Sequence, residues 1–277
     1  MPRGDVPVKL VVQHVWLTDE KFAQLIARRQ QLREKEEVNL LEPSLTALQG
    51  RLDLSEAELK KIVLKLPSVL GLSYEANIEP KLALLQARLD LRDAELKEVV
   101  LQTPPVLGLS YEANLEPSLA ALQRRLDLSE AELKKIVLRL PPVLDYSYEK
   151  NLEPSLAALQ TRLDLSDAEL KKIVLRLPGV LGYSYEKSLE PKLAFLQEEL
   201  QLSKEMLRDI IVKNSKLLSY SLEKRYRPRV GQCREADVPV KLVVQHVWLT
   251  DEKFAQLIAR RQQLHEKEEM NLLPHRA

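Results

Sequence analysis

Lysine and arginine side chains recur in pairs four residues apart, a spacing suited to binding anions. The pairs are Lys61 with Lys65, Lys135 with Arg139, and Lys172 with Arg176. Residues four apart are neighbours on a helix, and two like charges there cost about 0.2–0.5 kcal/mol. A phosphate group between the two cations removes that repulsion. These pairs are therefore candidate contacts for a polyanion.

The second position of each pair is basic in nearly every copy of one repeated segment. The residues at this position are Arg28, Lys65, Arg139, Arg176 and Lys213. Together with Lys61, Lys135 and Lys172 we call them the basic stripe. One copy interrupts it with Glu98 and Gln102. A second role stays open, because cations near a helix C-terminus also complement the helix dipole.

Another set of lysines is expected to be neutralised within its own helix. Each follows an acidic residue by four positions, in the pairs Glu56/Lys60, Asp93/Lys97, Glu130/Lys134 and Asp167/Lys171. Acid on the N-terminal side of base at this spacing is the favourable orientation. These lysines are not candidate contacts.

The densest basic cluster is Lys224, Arg225, Arg227 and Arg229. Tyr226 lies within it, and an aromatic ring among cations can stack on a nucleic-acid base. Two roles are open for this cluster. It contacts a nucleic acid, or it anchors the last regular repeat to the segment that follows.

Several classes of function are not expected. Carboxylates at the positions of Asp127, Glu130 and Glu132 recur in four of the five regular repeats, whereas an active site needs one distinctive constellation, so the chain is not expected to be an enzyme. One cysteine, Cys233 in a polar linker, and four scattered histidines provide neither a disulfide framework nor a metal site. No cofactor, small-molecule substrate or membrane contact is expected. The net charge of +1 means that any polyanion must be bound by locally sorted charge.

The elements that position the basic residues come from an internal repeat. Prolines occur at a constant spacing of 37 residues, at positions 43, 80, 117, 154, 191 and 228. Self-similarity at such a period is typical of a solenoid, in which each repeat buries its apolar face against its neighbours. Leucine, alanine, lysine and glutamate dominate the composition. The sequence therefore predicts an all-α helical-repeat solenoid.

Each repeat is predicted to contain two main helices and a short turn. In the third repeat Ser129 and Glu132 form a capping box before apolar residues at helical spacing, and Pro141 ends the helix. The second helix begins near Ser147 and kinks at Pro154, or begins with that proline in its first turn. One tyrosine recurs in each of the first four regular repeats, and we expect it to pack at a helix start: Tyr74, Tyr111, Tyr148 and Tyr185.

The two ends of the chain match each other. Residues 5–41 reappear as 237–273, altered only at Arg33/His265 and Val38/Met270. The offset of 232 residues is not a multiple of 37. The predicted division is a divergent terminal-type repeat (1–42), five regular repeats (43–227), and a linker with the second terminal copy (228–277).

The repeat resembles that of the mitochondrial transcription termination factors, the mTERF family. The resemblance rests on Leu128–Val137, Pro141 and the residues up to Pro154. It also rests on Leu222–Arg229, similar to the closing signature of that family, and on Leu249–Phe254, similar to its last helix.

The resemblance implies a curved superhelix, right- or left-handed, of 37-residue units with two to three helices. It implies a factor that binds duplex DNA, or RNA, and acts in organelle transcription termination or its regulation, in a mitochondrion or chloroplast. No transit peptide is recognised in the sequence, and a monomer is expected. The alternative is a protein-binding or structural helical scaffold, with acids and bases matched on its concave face.

Overall fold

The computed structural model describes residues 38–272, with side chains over 43–264, and all its regular elements in that range are helices. The prediction of an all-α helical-repeat fold is confirmed. The chain folds into two compact units, Met1–Asn151 and Leu152–Ala277.

The first unit contains six described α-helices that alternate between two types. They are α1 (Val38–Arg51), α2 (Glu56–Lys65), α3 (Glu79–Leu89), α4 (Asp93–Gln102), α5 (Glu116–Arg125) and α6 (Glu130–Arg139). The even-numbered helices pack in succession, α2 against α4 and α4 against α6. Each repeat thus buries its apolar face against the next, as a solenoid requires.

The second unit continues the same order within its own residues. Its α-helices are α7 (Glu153–Leu163), α8 (Asp167–Arg176), α9 (Glu190–Glu199), α10 (Lys204–Lys213), α11 (Arg227–Glu235), α12 (Lys241–His246) and α13 (Asp251–Leu272). Helix α10 packs against α7, α8 and α9. Helix α11 contacts α12 and α13.

Short helices connect the two types of α-helix. Five 3₁₀ helices follow α2, α4, α6, α8 and α10, at Pro67–Gly71, Pro104–Gly108, Pro141–Asp145, Pro178–Gly182 and Ser215–Ser219. Five π-helical turns then run directly into the next α-helix, at Tyr74–Ile78, Tyr111–Leu115, Tyr148–Leu152, Tyr185–Leu189 and Leu222–Tyr226.

The capping boxes form as predicted. In α6 the Ser129 hydroxyl accepts a hydrogen bond from the Glu132 N–H, and the Glu132 carboxylate accepts one from the Ser129 N–H. Leu133, Ile136 and Val137 are buried. The same arrangement begins α2 and α8. Local capping and an apolar stripe of period 3.6 are therefore sufficient to define these helices.

The second helix of each repeat combines the two alternatives left open by the sequence. Ser110 caps the π turn, since its hydroxyl accepts from the Ala113 N–H, and the Leu115 N–H donates to the Ser110 carbonyl. Pro117 then lies in the first turn of α5. Proline has no N–H to donate, so the first turn is the position where it costs least.

An aspartate in the left-handed conformation ends most of these second helices. The residues with positive φ are Asp53, Asp90, Asp127, Asp164, Gln201 and Asp237. After α3 the Leu91 N–H donates to the Gln86 carbonyl, which closes the helix C-terminus over the left-handed residue. Aspartate is among the few non-glycine residues found there regularly.

Both predicted domain boundaries fall inside helices. Pro43 lies within α1, and Pro228 lies within α11, because the repeated proline belongs to a helix and not to a connection. The stretch after residue 228, expected to be a linker, is therefore helical. Cys233 lies in α11 and is fully buried, which corrects its expected place in a polar linker.

None of the helices within residues 38–272 combines the length and the apolar character that crossing a membrane demands. His14, Trp16 and the apolar residues of the divergent repeat at 17–26 lie outside the described residues.

The left-handed turn yields a first prediction. Replacing Asp90 (φ 48°) by asparagine leaves stability nearly unchanged, whereas Asp90→Val destabilises the protein by about 1–2 kcal/mol because a β-branched residue resists positive φ. Urea unfolding of the two variants measures the difference. Equal midpoints would show that the turn does not need this conformation.

Candidate nucleic-acid interface

Four residues of the basic stripe lie exposed in the first unit. Lys61 and Lys65 are on α2, and Lys135 and Arg139 are on α6. They lie on helices whose other face buries apolar residues such as Ile62 and Ile136. Among the described residues, no carboxylate forms an ion pair with any of these four cations. Their charge is therefore available to a ligand.

Three further residues of the stripe lie in the second unit. Lys172 and Arg176 on α8 and Lys213 on α10 are exposed. Lys172 and Arg176 line a shallow surface depression with Leu175. The Arg176 guanidinium also donates to the carbonyls of Val212 (2.9 Å) and Lys213 (3.1 Å). Arg176 thus binds carbonyls at the C-terminus of the neighbouring helix α10, a structural role that differs from complementing the dipole of its own helix.

The stripe has interruptions. Gln102 donates to the Glu98 carboxylate at 2.5 Å, so α4 offers no cation at these positions. On α10 Asp209 occupies the position that Lys172 has on α8. Arg28 lies outside the described residues.

Two lysines of the other set, Lys97 and Lys134, reach backward to the preceding repeat. The Lys97 ammonium lies 3.0 Å from the Glu58 carboxylate and donates to the Asp53 carbonyl at 2.6 Å. Lys134 repeats these contacts with Glu95 (3.0 Å) and the Asp90 carbonyl. We call this contact the lysine clamp.

The carboxylate four residues earlier in the same helix is the expected partner of each lysine, but it accepts hydrogen bonds from other side chains instead. Asp93 accepts from Arg51 at 3.2 Å and from Gln86 at 2.9 Å. Glu130 accepts from Arg88 and from Gln123 in the same way. The prediction of pairs within one helix is therefore wrong for Lys97 and Lys134, although their charge is neutralised as expected.

A second contact between repeats centres on arginine. Arg88 at the end of α3 donates to Glu116 (2.9 Å), Gln123 (2.5 Å) and Glu130 of the next repeat. The same contact joins Arg51 to Glu79 in the first unit and Arg162 to Glu190 in the second. We call it the arginine clamp. Sequence reasoning missed it, although arginine and glutamate recur 28 residues apart and this spacing was the available signal.

The recurrent tyrosines support this contact. Tyr111 is half-buried, and its hydroxyl donates to the Glu116 carboxylate at 3.0 Å. Burial and this hydrogen bond raise the pKa of Tyr111 to about 12. Tyr185 donates to Glu190 at 2.7 Å in the second unit. These tyrosines lie at helix starts as expected, with a polar contact in addition to packing.

The arginine cluster divides between the two roles left open for it. The side chain of Arg229 is 2% exposed and donates to the carbonyls of His246, Val247 and Leu249 and to Asp251. Burial removes Arg229 from the candidate contacts, which is a correction. Arg225 donates to the Leu249 carbonyl at 2.7 Å, so it also anchors the terminal segment.

The remaining members of the cluster differ from one another. Arg227 is exposed, pairs with Glu223 at 3.0 Å, and lies over the Phe195 ring at 5.0 Å. Tyr226 is fully buried, and its hydroxyl donates to the Leu217 carbonyl, so it cannot stack on a base. Only Arg227 and Lys224 of this cluster face solvent well enough to meet a ligand.

The arrangement separates two classes of cation. Those in the clamps have protein acceptors, whereas those of the stripe on α2 and α6 face solvent. Within residues 38–272, no group of three or more histidine, cysteine, aspartate or glutamate side chains is placed to hold a metal ion. What the exposed face offers is electrostatic attraction for anions.

Comparison with known proteins adds one finding. The family model mTERF matches the chain in two overlapping stretches, residues 10–165 and 85–255. A search of curated proteins found no match.

The arginine clamp yields a prediction about stability. Arg88→Met leaves Glu116 and Glu130 without their cation and costs about 1–3 kcal/mol, as expected for hydrogen bonds to charged groups. The matched control is Arg124→Met, because the Arg124 side chain is exposed and donates to the Ala120 carbonyl of its own helix. Urea unfolding compares the two. An equal response would show that the clamp does not hold the repeats together.

The lysine clamp yields a prediction about pH. Hydrogen bonds from Arg92, then the contact with Lys134, lower the pKa of Glu95 to about 2. A lowered pKa in the folded state stabilises the protein above the ordinary carboxyl pKa, and this stability is lost as the pH falls towards 2. The difference in urea midpoint between the native chain and Glu95→Gln therefore shrinks between pH 5 and pH 3. A constant difference would contradict the assignment.

Proposed function

Since the chain belongs to the mTERF family, we propose that it binds duplex nucleic acid, and DNA in particular, through its basic stripe. Proteins of this family are in general nucleic-acid-binding, non-enzymatic factors of organelle gene expression. The finer proposal is a role in organelle transcription, in termination or another regulatory step.

One observation carries the proposal. Lys61 and Lys65, and again Lys135 and Arg139, stand exposed four residues apart and have no described carboxylate partner. Like charges at this spacing are unfavourable in the free protein. Binding a phosphate backbone relieves that repulsion and releases condensed counterions from the nucleic acid.

The type of contact determines what kind of binding to expect. Lysine is a flexible point charge and contacts phosphate without identifying the base. Regular repeats that use lysine in this way contribute affinity and position, but little sequence selectivity. A factor held at several points along a duplex obstructs an advancing polymerase, which agrees with a role in termination.

The scaffold alternative predicts a different surface. A partner-binding face usually carries few charges at its centre, and a structural face has acids and bases in matched pairs. On the exposed face of α6, by contrast, Lys135 and Arg139 have no carboxylate partner among the described residues. This favours the nucleic-acid proposal over the scaffold.

The experiment measures the salt dependence of binding. Labelled duplex DNA, duplex RNA and single-stranded DNA are titrated at several salt concentrations with the native chain and with Lys135→Gln/Arg139→Gln. Loss of two phosphate contacts lowers the slope of log affinity against log salt by about 1.8 for duplex DNA.

The matched control is Lys150→Gln/Lys187→Gln. These lysines are also exposed, but they lie on the π turns and not on the helices that carry the stripe. The control removes the same charge and should leave the slope unchanged. If both variants behave alike, or if the native chain shows no dependence on salt, the stripe is not the interface.

A further inference from the structure

The terminal segment of the chain is held on the last repeat by a defined docking surface. This surface consists of α11 and the π turn Leu222–Tyr226. Arg229 donates from it to the carbonyls of Val247 (2.8 Å) and Leu249 (2.6 Å) and to Asp251 (2.9 Å). Arg225 adds a bond to the Leu249 carbonyl. We call residues 237–273 the C-terminal copy.

Apolar and ring contacts complete the docking. The side chain of Phe254 is fully buried, and the Arg229 guanidinium lies 4.4 Å from its ring centroid. Val243, Val247 and Ile258 are also buried. The bound segment therefore offers one carboxylate, a run of backbone carbonyls and one aromatic ring, in a fixed order.

The same features occur a second time in the chain. Residues 5–41, the N-terminal copy, differ from the C-terminal copy only at Arg33/His265 and Val38/Met270. Each docking residue has an identical counterpart: His14, Val15, Leu17, Asp19, Phe22 and Ile26 stand for His246, Val247, Leu249, Asp251, Phe254 and Ile258. The two differences fall after the last of these contacts.

The docking surface has no chemical means to distinguish the two copies. Specificity is a difference of affinities, and identical contact residues make that difference vanish. We propose that the docking surface also accepts the N-terminal copy of a second molecule of this chain, once its own C-terminal copy has left. The proposal concerns a contact between two chains and does not depend on nucleic-acid binding.

The order of the segments along the chain gives this contact a direction. The N-terminal copy continues directly into the first regular repeat at Pro43, so docking joins the last repeat of one molecule to the first repeat of the next. Such a head-to-tail contact is heterologous and leaves a free end on each side. Assemblies of this kind grow beyond the dimer.

Tethering explains why the unaltered chain favours its own segment. The C-terminal copy begins at residue 237, two residues after the end of α11 at Glu235, and a short tether gives an effective concentration in the millimolar range. The copy from a second molecule competes poorly at micromolar protein. Weakening the C-terminal copy alone therefore exposes the second mode of binding.

The test uses full-length chains in three forms. Asp251→Ala/Phe254→Ala weakens the C-terminal copy, Asp19→Ala/Phe22→Ala weakens the N-terminal copy, and a fourfold variant weakens both. Size-exclusion chromatography with light scattering measures their mass over a range of protein concentrations, without nucleic acid. Far-UV circular dichroism records the helix content of each.

The expected result is assembly in the first variant only. Its mass rises with concentration from one chain to two and more, while the other two variants keep the mass of one chain. A first variant that stays at one chain overturns the proposal. Equal association of the fourfold variant also overturns it, because the association then comes from exposed apolar surface and not from the N-terminal copy.

A milder pair guards against loss of folding. If the first variant loses helix content, the milder variant Asp251→Asn/Phe254→Leu replaces it. Its mass is compared with the mass of a fourfold variant that also carries Asp19→Asn and Phe22→Leu. The proposal is supported when the mass rises in the variant changed at residues 251 and 254 and returns to one chain once the changes at residues 19 and 22 are added. Mass that is unaffected by the added changes contradicts it.

Discussion

In the first unit, the stacking of the repeats depends on a basic side chain that reaches from one repeat to the turn of the repeat before it. Lys97 and Lys134 bind a backbone carbonyl and a carboxylate at the same time. The carbonyl is exposed because Asp53 and Asp90 adopt the left-handed conformation, and the carboxylate is held by its capping box. The helix end thus supplies a carbonyl and the helix start supplies a carboxylate, and both accept from the lysine of the next repeat. In a repeat protein, this kind of contact between nearest neighbours supplies the cooperativity.

This constraint also divides the positive charge of the chain. Lys134 and Lys135 are adjacent in sequence, yet successive residues of an α-helix point about 100° apart, as 3.6 residues per turn require. The first faces the preceding repeat and is neutralised, while the second faces solvent. A nearly neutral total charge is therefore compatible with exposed cations on one helix face. The functional proposal depends on this difference between neighbours.

Local features were predictable from the sequence, whereas contacts between repeats were not. The capping box of Ser129 and Glu132, the buried face of α6 and the helix end at Pro141 follow from spacing over a few residues. The partner of Lys97 lies 39 residues earlier, at Glu58, and only stacking of the repeats brings the two together. Spacing alone favours a pair between Lys97 and Asp93, four residues away, but the Asp93 carboxylate accepts a hydrogen bond from Arg51 of the preceding repeat. Arg229 is expected at the surface for a similar reason, because the residues that bind it, between His246 and Asp251, come later in the chain.

The central claim is that the stripe lysines meet nucleic acid while the clamp lysines hold the repeats. Acetylation of lysines by a water-soluble reagent, followed by mass spectrometry, measures each residue with and without duplex DNA. The account predicts that Lys61, Lys65, Lys135 and Lys172 react readily and become protected by DNA. Lys97 and Lys134 should react slowly in both states, and Lys150 and Lys187 readily in both. Protection of Lys150 and Lys187 with none at the stripe would contradict the account.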